Sequence, residues 1–157
     1  MLKRALPLLL FVALALMAAA LGGYATSMSV STWYPLLKKP SWTPPSSVFA
    51  PVWAVLYILM AIATWRVWRI GDASSARGTV SLYSAQLTLN ALWSILFFGL
   101  QRPGIALLEI IVLWGMLLLI LRRYWVADRI SAYLWLSYFL WVSFACILNA
   151  AIWELNS

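Results

Sequence analysis

Five apolar runs, each long enough to cross a membrane, occupy almost the whole chain and decide what it can become. A helix needs roughly 17–25 predominantly apolar residues to span a hydrocarbon core. Residues 5–26, 47–68, 79–100, 103–121 and 130–153 each meet that requirement. The runs are continuous rather than alternating, which points to helices and not to barrel strands. Lipid offers no water to backbone groups, and a helix satisfies them within one segment. The expected fold is an all-α membrane protein, a single five-helix transmembrane bundle over residues 1–157. Composition agrees: 10% of the residues are charged, against about 25% in a soluble domain.

The charges sit between the runs. Lys3, Arg4, Arg66, Arg69, Arg77, Arg122, Arg123 and Arg129 fall on one side of the expected bundle, and Lys38, Lys39 and Arg102 on the other. The positive-inside rule then puts the N-terminus in the cytoplasm and the C-terminus outside, with a bacterial membrane as the expected setting. The net charge of +7 is thus a topology signal, and no nucleic-acid partner is expected. Lys3 and Arg4 ahead of an apolar run also fit a signal peptide with "MAAALGG" as its cleavage region. The five-helix reading keeps the segment as a retained helix. Ala18 with Gly22, and Ala19 with Gly23, then offer small faces for close helix approach, within the chain or in a dimer.

Several chemistries are excluded by inventory. The chain has no histidine and one cysteine, Cys146. That removes a His-dependent triad, the commonest haem ligand and an internal disulfide. No metal-ligand cluster and no Gly-rich phosphate loop are legible, so no cofactor is expected.

The connection over residues 27–46 is the long one. It leads into "KKPSWTPPSSVFAPVW" (Lys38–Trp53), which holds Pro40, Pro44, Pro45 and Pro51 of the seven prolines. Proline fixes φ and removes a donor, so such a segment can be ordered without being a helix. Non-helical backbone at a membrane is tolerated where it packs on protein or lines a cavity. Residues 27–46 are therefore expected to act as a lid. Ser46 or Ser47 is expected to cap the second helix, with Pro51 at its first position or at a kink. Residues 70–78 read as a polar loop, and 122–129 as a short charged connection.

Three helices of the expected bundle each carry a stripe on one face. The second helix offers Phe49, Trp53, Tyr57 and Ala61. The third offers Gln86, Asn90, Trp93 and Phe97, and the fifth Tyr138, Trp141, Ala145, Leu148 and Ile152. Such stripes are commonly core. If they converge, they wall an apolar pocket with a few polar groups, suited to a large planar guest. Gln86 and Asn90 read either as interhelical hydrogen bonds or as polar handles for that guest. Glu109, inside the fourth span, is a candidate functional carboxylate or a partner of Arg102. Asn149 reads as a cap or an interhelical bond.

Three blocks carry a family resemblance: "WYPLLKKPSWTPPSSVFAPVWAVLY" (Trp33–Tyr57), "LYSAQLTLNALWSILFFG" (Leu82–Gly99) and "LWVSFACILN" (Leu140–Asn149). Together and in this order they resemble the translocator protein family, also called the tryptophan-rich sensory protein or peripheral-type benzodiazepine receptor family. The resemblance implies a five-helix bundle, often a homodimer, with a cavity beneath the first long loop. It implies binding of porphyrins such as protoporphyrin IX and of drug-like small molecules, in contact with membrane lipid. Carried over by motif, the site comprises Trp33, Pro40, Trp42, Trp53, Tyr57, Gln86, Asn90, Trp93, Trp141, Phe144, Ala145 and Leu148. Light-dependent porphyrin breakdown, also associated with the family, would fall to Trp53 and Trp141. The chain departs from the family's sterol motif: Asn149 is followed by Ala150, Ala151, Ile152, Trp153 and Glu154, without the basic residue. The leading expectation is a porphyrin receptor or sensor. A light-dependent porphyrin-degrading enzyme and a tetrapyrrole or lipid transporter, with Glu109 as its coupling group, are the alternatives.

Overall fold

The computed structural model describes the backbone of residues 2–157 and the side chains of residues 6–157. The side chains of Lys3 and Arg4, and with them that part of the charge reading, lie outside the described residues. Five helices follow one another: α1 (Leu2–Ser27), α2 (Ser46–Ile70), α3 (Ala73–Ser94), α4 (Pro103–Ala127) and α5 (Arg129–Asn156). Each is long and apolar enough to cross a membrane. The helices close a ring in the order α1, α2, α5, α4, α3, and α2 also touches α3 across it.

Packing divides the bundle into two halves. A dense core gathers Met60, Ala61, Ala63, Leu113, Leu117, Ala132, Trp135 and Tyr138, all fully or almost fully buried. It lies toward the end where α2 stops and α3 starts. Small residues matter because lipid tails are as apolar as leucine, so helix association rests on close van der Waals contact. Gly22 shows this between α1 and α3: a Cβ there would stand 3.1 Å from the Ser94 hydroxyl. The outward faces carry Leu9, Leu16, Leu108, Val112, Leu140 and Ile147, all exposed, as a lipid-facing surface requires. Toward the other end a smaller cluster joins Tyr34, Phe97, Ala106, Leu148 and Ile152 beneath the loop over residues 28–45.

Three boundaries differ from the sequence reading, each for a local reason. α3 begins at Ala73 rather than at 79, because Asp72 caps it by accepting the Ser75 N–H at 2.8 Å. The polar loop is thereby reduced to Gly71 and Asp72. α4 continues to Ala127, and one residue, Asp128, ends α4 and starts α5. Its N–H donates to the Tyr124 carbonyl, and its carboxylate accepts from the N–H and hydroxyl of Ser131. Arg66 of α2 closes the joint with Nε at 2.8 Å and Nη2 at 3.2 Å. These bonds, the Arg66 one foremost, hold the Asp128 carboxyl well below the usual carboxylate range. Ser46 and Ser47 are not caps. They are the first helical residues of α2, preceded by Pro45 without a side-chain cap bond, and Pro51 lies inside the helix.

The end of α3 was not foreseen. Ile95–Gly99 widens into a π-turn, in which Leu100 N–H reaches the Ile95 carbonyl at 2.7 Å. Gln101 then reverses the chain at φ 55°, a left-handed conformation that non-glycine residues seldom adopt. Arg102 N–H donates to the Leu96 carbonyl at 3.0 Å, and Ser29 from the loop donates to the Phe98 carbonyl at 2.7 Å. The turn thus pushes both Phe97 and Phe98 toward the loop.

Candidate functional site: an aromatic cavity under the loop

Between the dense core and the loop lies a cavity of about 620 Å³. That is within the range of roughly 300–1,000 Å³ usual for small-molecule sites. α1 contributes a low wall of Ala19, Gly22, Gly23 and Thr26, α2 contributes Phe49, Trp53 and Tyr57, and α3 contributes Asn90, Trp93 and Ser94. Phe97 and Phe98 enter from the π-turn, Trp141, Ala145, Leu148, Asn149 and Ile152 from α5, and Val30 and Tyr34 from the loop. The aromatic walls brace one another. Trp93 stacks on Phe97 at 5.2 Å, Trp53 meets Tyr138 edge-on at 6.1 Å, and Phe49 meets Trp141 edge-on at 6.0 Å.

Of the residues singled out in the sequence, Trp53, Tyr57, Asn90, Trp93, Trp141, Ala145 and Leu148 line this cavity. Trp33, Pro40, Trp42, Gln86 and Phe144 do not. Trp33 packs edge-on against Phe97 from outside, and Trp42 does the same against Phe144 with 47% of its surface exposed. Pro40 shapes the loop, its carbonyl accepting the Thr43 N–H and hydroxyl at 3.0 and 2.7 Å. Gln86 lies one helical turn too deep and is fully buried.

Both amides take the interhelical reading. Tyr57 donates to Asn90 Oδ1, Asn90 Nδ2 donates to the Tyr138 hydroxyl at 2.9 Å, and Tyr138 donates to Gln86 Oε1 at 3.1 Å. Asn90 faces the cavity with its amide already engaged at both ends. Asn149 behaves alike: Trp93 Nε1 donates to its Oδ1 at 2.9 Å, and its Nδ2 donates to the Pro103 carbonyl at 2.8 Å. Polar contact with a guest is left to groups outside these networks, among them the Trp53 and Trp141 indoles and the hydroxyls of Tyr34, Ser46, Ser47 and Ser94.

Residues 11–154 match the TspO/MBR family. The chain belongs to the TspO/MBR family. A tryptophan-rich protein TspO of Archaeoglobus fulgidus is 40% identical, the alignment covering 87% of this chain and 88% of that one. A tryptophan-rich sensory protein of Cereibacter sphaeroides is 34% identical over 88% of this chain and 87% of its own. A translocator protein of Sus scrofa is 34% identical over 87% and 85%. The chain is thus a multi-pass integral membrane protein of this family.

Within this TspO/MBR bundle Glu109 stands apart from the cavity. It is 8% exposed on the inner face of α4, and neither carboxyl oxygen has a hydrogen-bond partner among the described residues. The expected pairing with Arg102 does not form. The cavity also has walls that sequence reasoning missed. Gly22, Gly23 and Thr26 of α1, Ser94 of α3, Phe98 and Tyr34 all face it. The small-residue face at Ala18–Gly23 was a usable signal for α1: Gly22 serves helix contact, but Gly23 opens on empty space. Phe98 carried no signal, because its direction depends on the π-turn.

Proposed function

We propose that this chain is an integral membrane receptor or sensor for planar tetrapyrroles of the porphyrin type. One observation carries the reading: the cavity presents indole and phenyl faces from three helices, and its amides are already bonded to the protein. Such a wall suits a flat, largely apolar guest held by stacking, with its polar edge toward the serines and the loop. Titration with protoporphyrin IX, followed by tryptophan quenching, tests it. Trp53→Phe and Trp141→Phe are each expected to weaken binding by roughly twofold to tenfold, the worth of one aromatic contact. Unaltered affinity in both variants would move the site elsewhere. The N-terminus lies in the cytoplasm on this reading, which a C-terminal reporter active only outside the cytoplasm checks.

A second reading, proton-coupled transport, rests on Glu109. An unpartnered carboxyl inside a span is what a coupling group looks like. Porphyrin movement in proteoliposomes that persists unchanged in Glu109→Gln would remove it.

A further inference from the structure

We propose that Asn156, on the last turn of α5, is the latch of the loop over residues 28–45 and sets the rate at which a guest enters and leaves the cavity. The inference rests on the receptor reading for its guest, but not for its mechanics. The Asn156 side chain makes a two-point bond with the backbone of one loop residue. Lys38 N–H donates to Asn156 Oδ1 at 3.0 Å, and Asn156 Nδ2 donates to the Lys38 carbonyl at 2.9 Å. The second amide hydrogen serves the Ile152 carbonyl at 2.7 Å. A primary amide has two donors and an acceptor side by side, and here each is in use. Ile152 is itself buried and part of the cavity wall. The latch therefore joins the wall directly to the loop.

The loop side is built to be held at one point. Lys39 Nζ reaches the carbonyls of Tyr34 at 2.8 Å, Leu37 at 2.9 Å and Pro35 at 3.3 Å, and stands 4.9 Å from the centre of the Tyr34 ring. Residues 34–39 are thereby tied into one knot, and Tyr34 is its face toward the cavity. Immediately after it, the Pro40–Thr43 turn carries Trp42 to Phe144. Catching Lys38 thus holds the whole knot. The Ser29 bond to the Phe98 carbonyl is part-buried, whereas both Lys38 bonds are exposed. Water can replace the exposed pair, so the latch end opens while the Ser29 end serves as the hinge.

Neither Asn156 nor Lys38 lines the cavity, so the latch holds the closed loop equally with the cavity empty or filled. A device that favours closure to the same extent in both states changes exchange rates and leaves affinity alone. That separates a latch from a residue that merely shapes the site, whose loss raises dissociation and weakens binding together.

The experiment uses the full chain in detergent micelles or nanodiscs, with protoporphyrin IX as probe and stopped-flow tryptophan quenching as readout. Asn156→Ala is expected to raise association and dissociation rates alike by about fivefold to tenfold, the worth of two solvent-exposed hydrogen bonds. The equilibrium constant stays within about twofold. Lys38→Ala is expected to leave both rates unchanged, because the latch uses the backbone of Lys38 and not its ammonium. Backbone hydrogen exchange over residues 34–43, measured without guest, is expected to quicken in Asn156→Ala and not in Lys38→Ala. Unchanged hydrogen exchange in Asn156→Ala overturns the latch, and so does faster dissociation without faster association, which appears as weakened affinity. If the wild-type chain does not take up porphyrin, the receptor reading fails while the exchange measurement still decides the latch.

Discussion

Asn90→Ala is expected to destabilise the folded bundle by about 1–2 kcal/mol. The side chain bridges α2 and α5: it accepts from Tyr57 and donates to Tyr138, and it is 5% exposed. Side-chain hydrogen bonds between membrane helices average about 0.6 kcal/mol and reach about 1.7. Two of them set a span of roughly 1.2–3.4 kcal/mol. The lower part of that span applies, because neither tyrosine is stranded: Tyr138 keeps Gln86 as acceptor, and Tyr57 can turn its hydroxyl into the cavity. The assay is reversible unfolding in mixed micelles, followed by tryptophan fluorescence. A double-mutant cycle with Tyr57→Phe isolates the bond. Once Asn90 is gone, Tyr57→Phe should change stability by a few tenths of a kcal/mol at most. Fully additive losses, or an Asn90→Ala variant as stable as wild type, would refute the bridging role and with it the account of a cavity wall whose amides are engaged.

Gly23→Leu is expected to lower porphyrin affinity at least tenfold with little change in thermal stability, since Gly23 lines the cavity and a Cβ there meets nothing within 4 Å; titration and a melting curve on one sample check both halves. Gln101→Gly is expected to stabilise the bundle by about 1 kcal/mol, because glycine takes the left-handed turn without the strain of a Cβ, and equilibrium unfolding reads it directly. The Asp128 carboxyl is depressed in the folded chain. Its contribution is therefore fully present above its unfolded value of about 3.9 and is lost as pH falls below it. Stability measured from pH 7 to pH 3 should decline at the acid end in wild type, and Asp128→Asn should flatten that part of the curve.

The spans were legible because a bilayer imposes a length and a polarity that few other settings require. Faces were legible too, because the helical repeat puts Trp53 with Tyr57 and Asn90 with Trp93. Depth along a face was not. Gln86 and Asn90 share a stripe, yet one turn separates a buried bond from a cavity wall, and only the place where helices cross determines which. Helix ends were misread where a polar residue acts within a helix boundary. Asp72 and Asp128 look like loop residues by composition, but each caps a helix, and Arg66 recognises the second from a distant part of the chain. The π-turn at Ile95–Gly99 carries an ordinary apolar sequence, so Phe98 could not be assigned a direction. Trp33 and Trp42 belong to recognisable motifs, and yet they brace the cavity from behind, because the loop folds on its own knot before it meets the helices.

The engaged amides have a thermodynamic consequence. A wall whose amides already bond to protein has little water to lose from them when it is covered, so dehydrating them opposes binding only weakly. The heat-capacity change on binding should then follow the apolar area of the guest, while the enthalpy should respond little to how many donors the guest carries. Two rings of the same outline would then be told apart only at the edge that meets the serines. Asn90 and Asn149, by bonding inward, make the chamber a judge of outline more than of chemistry.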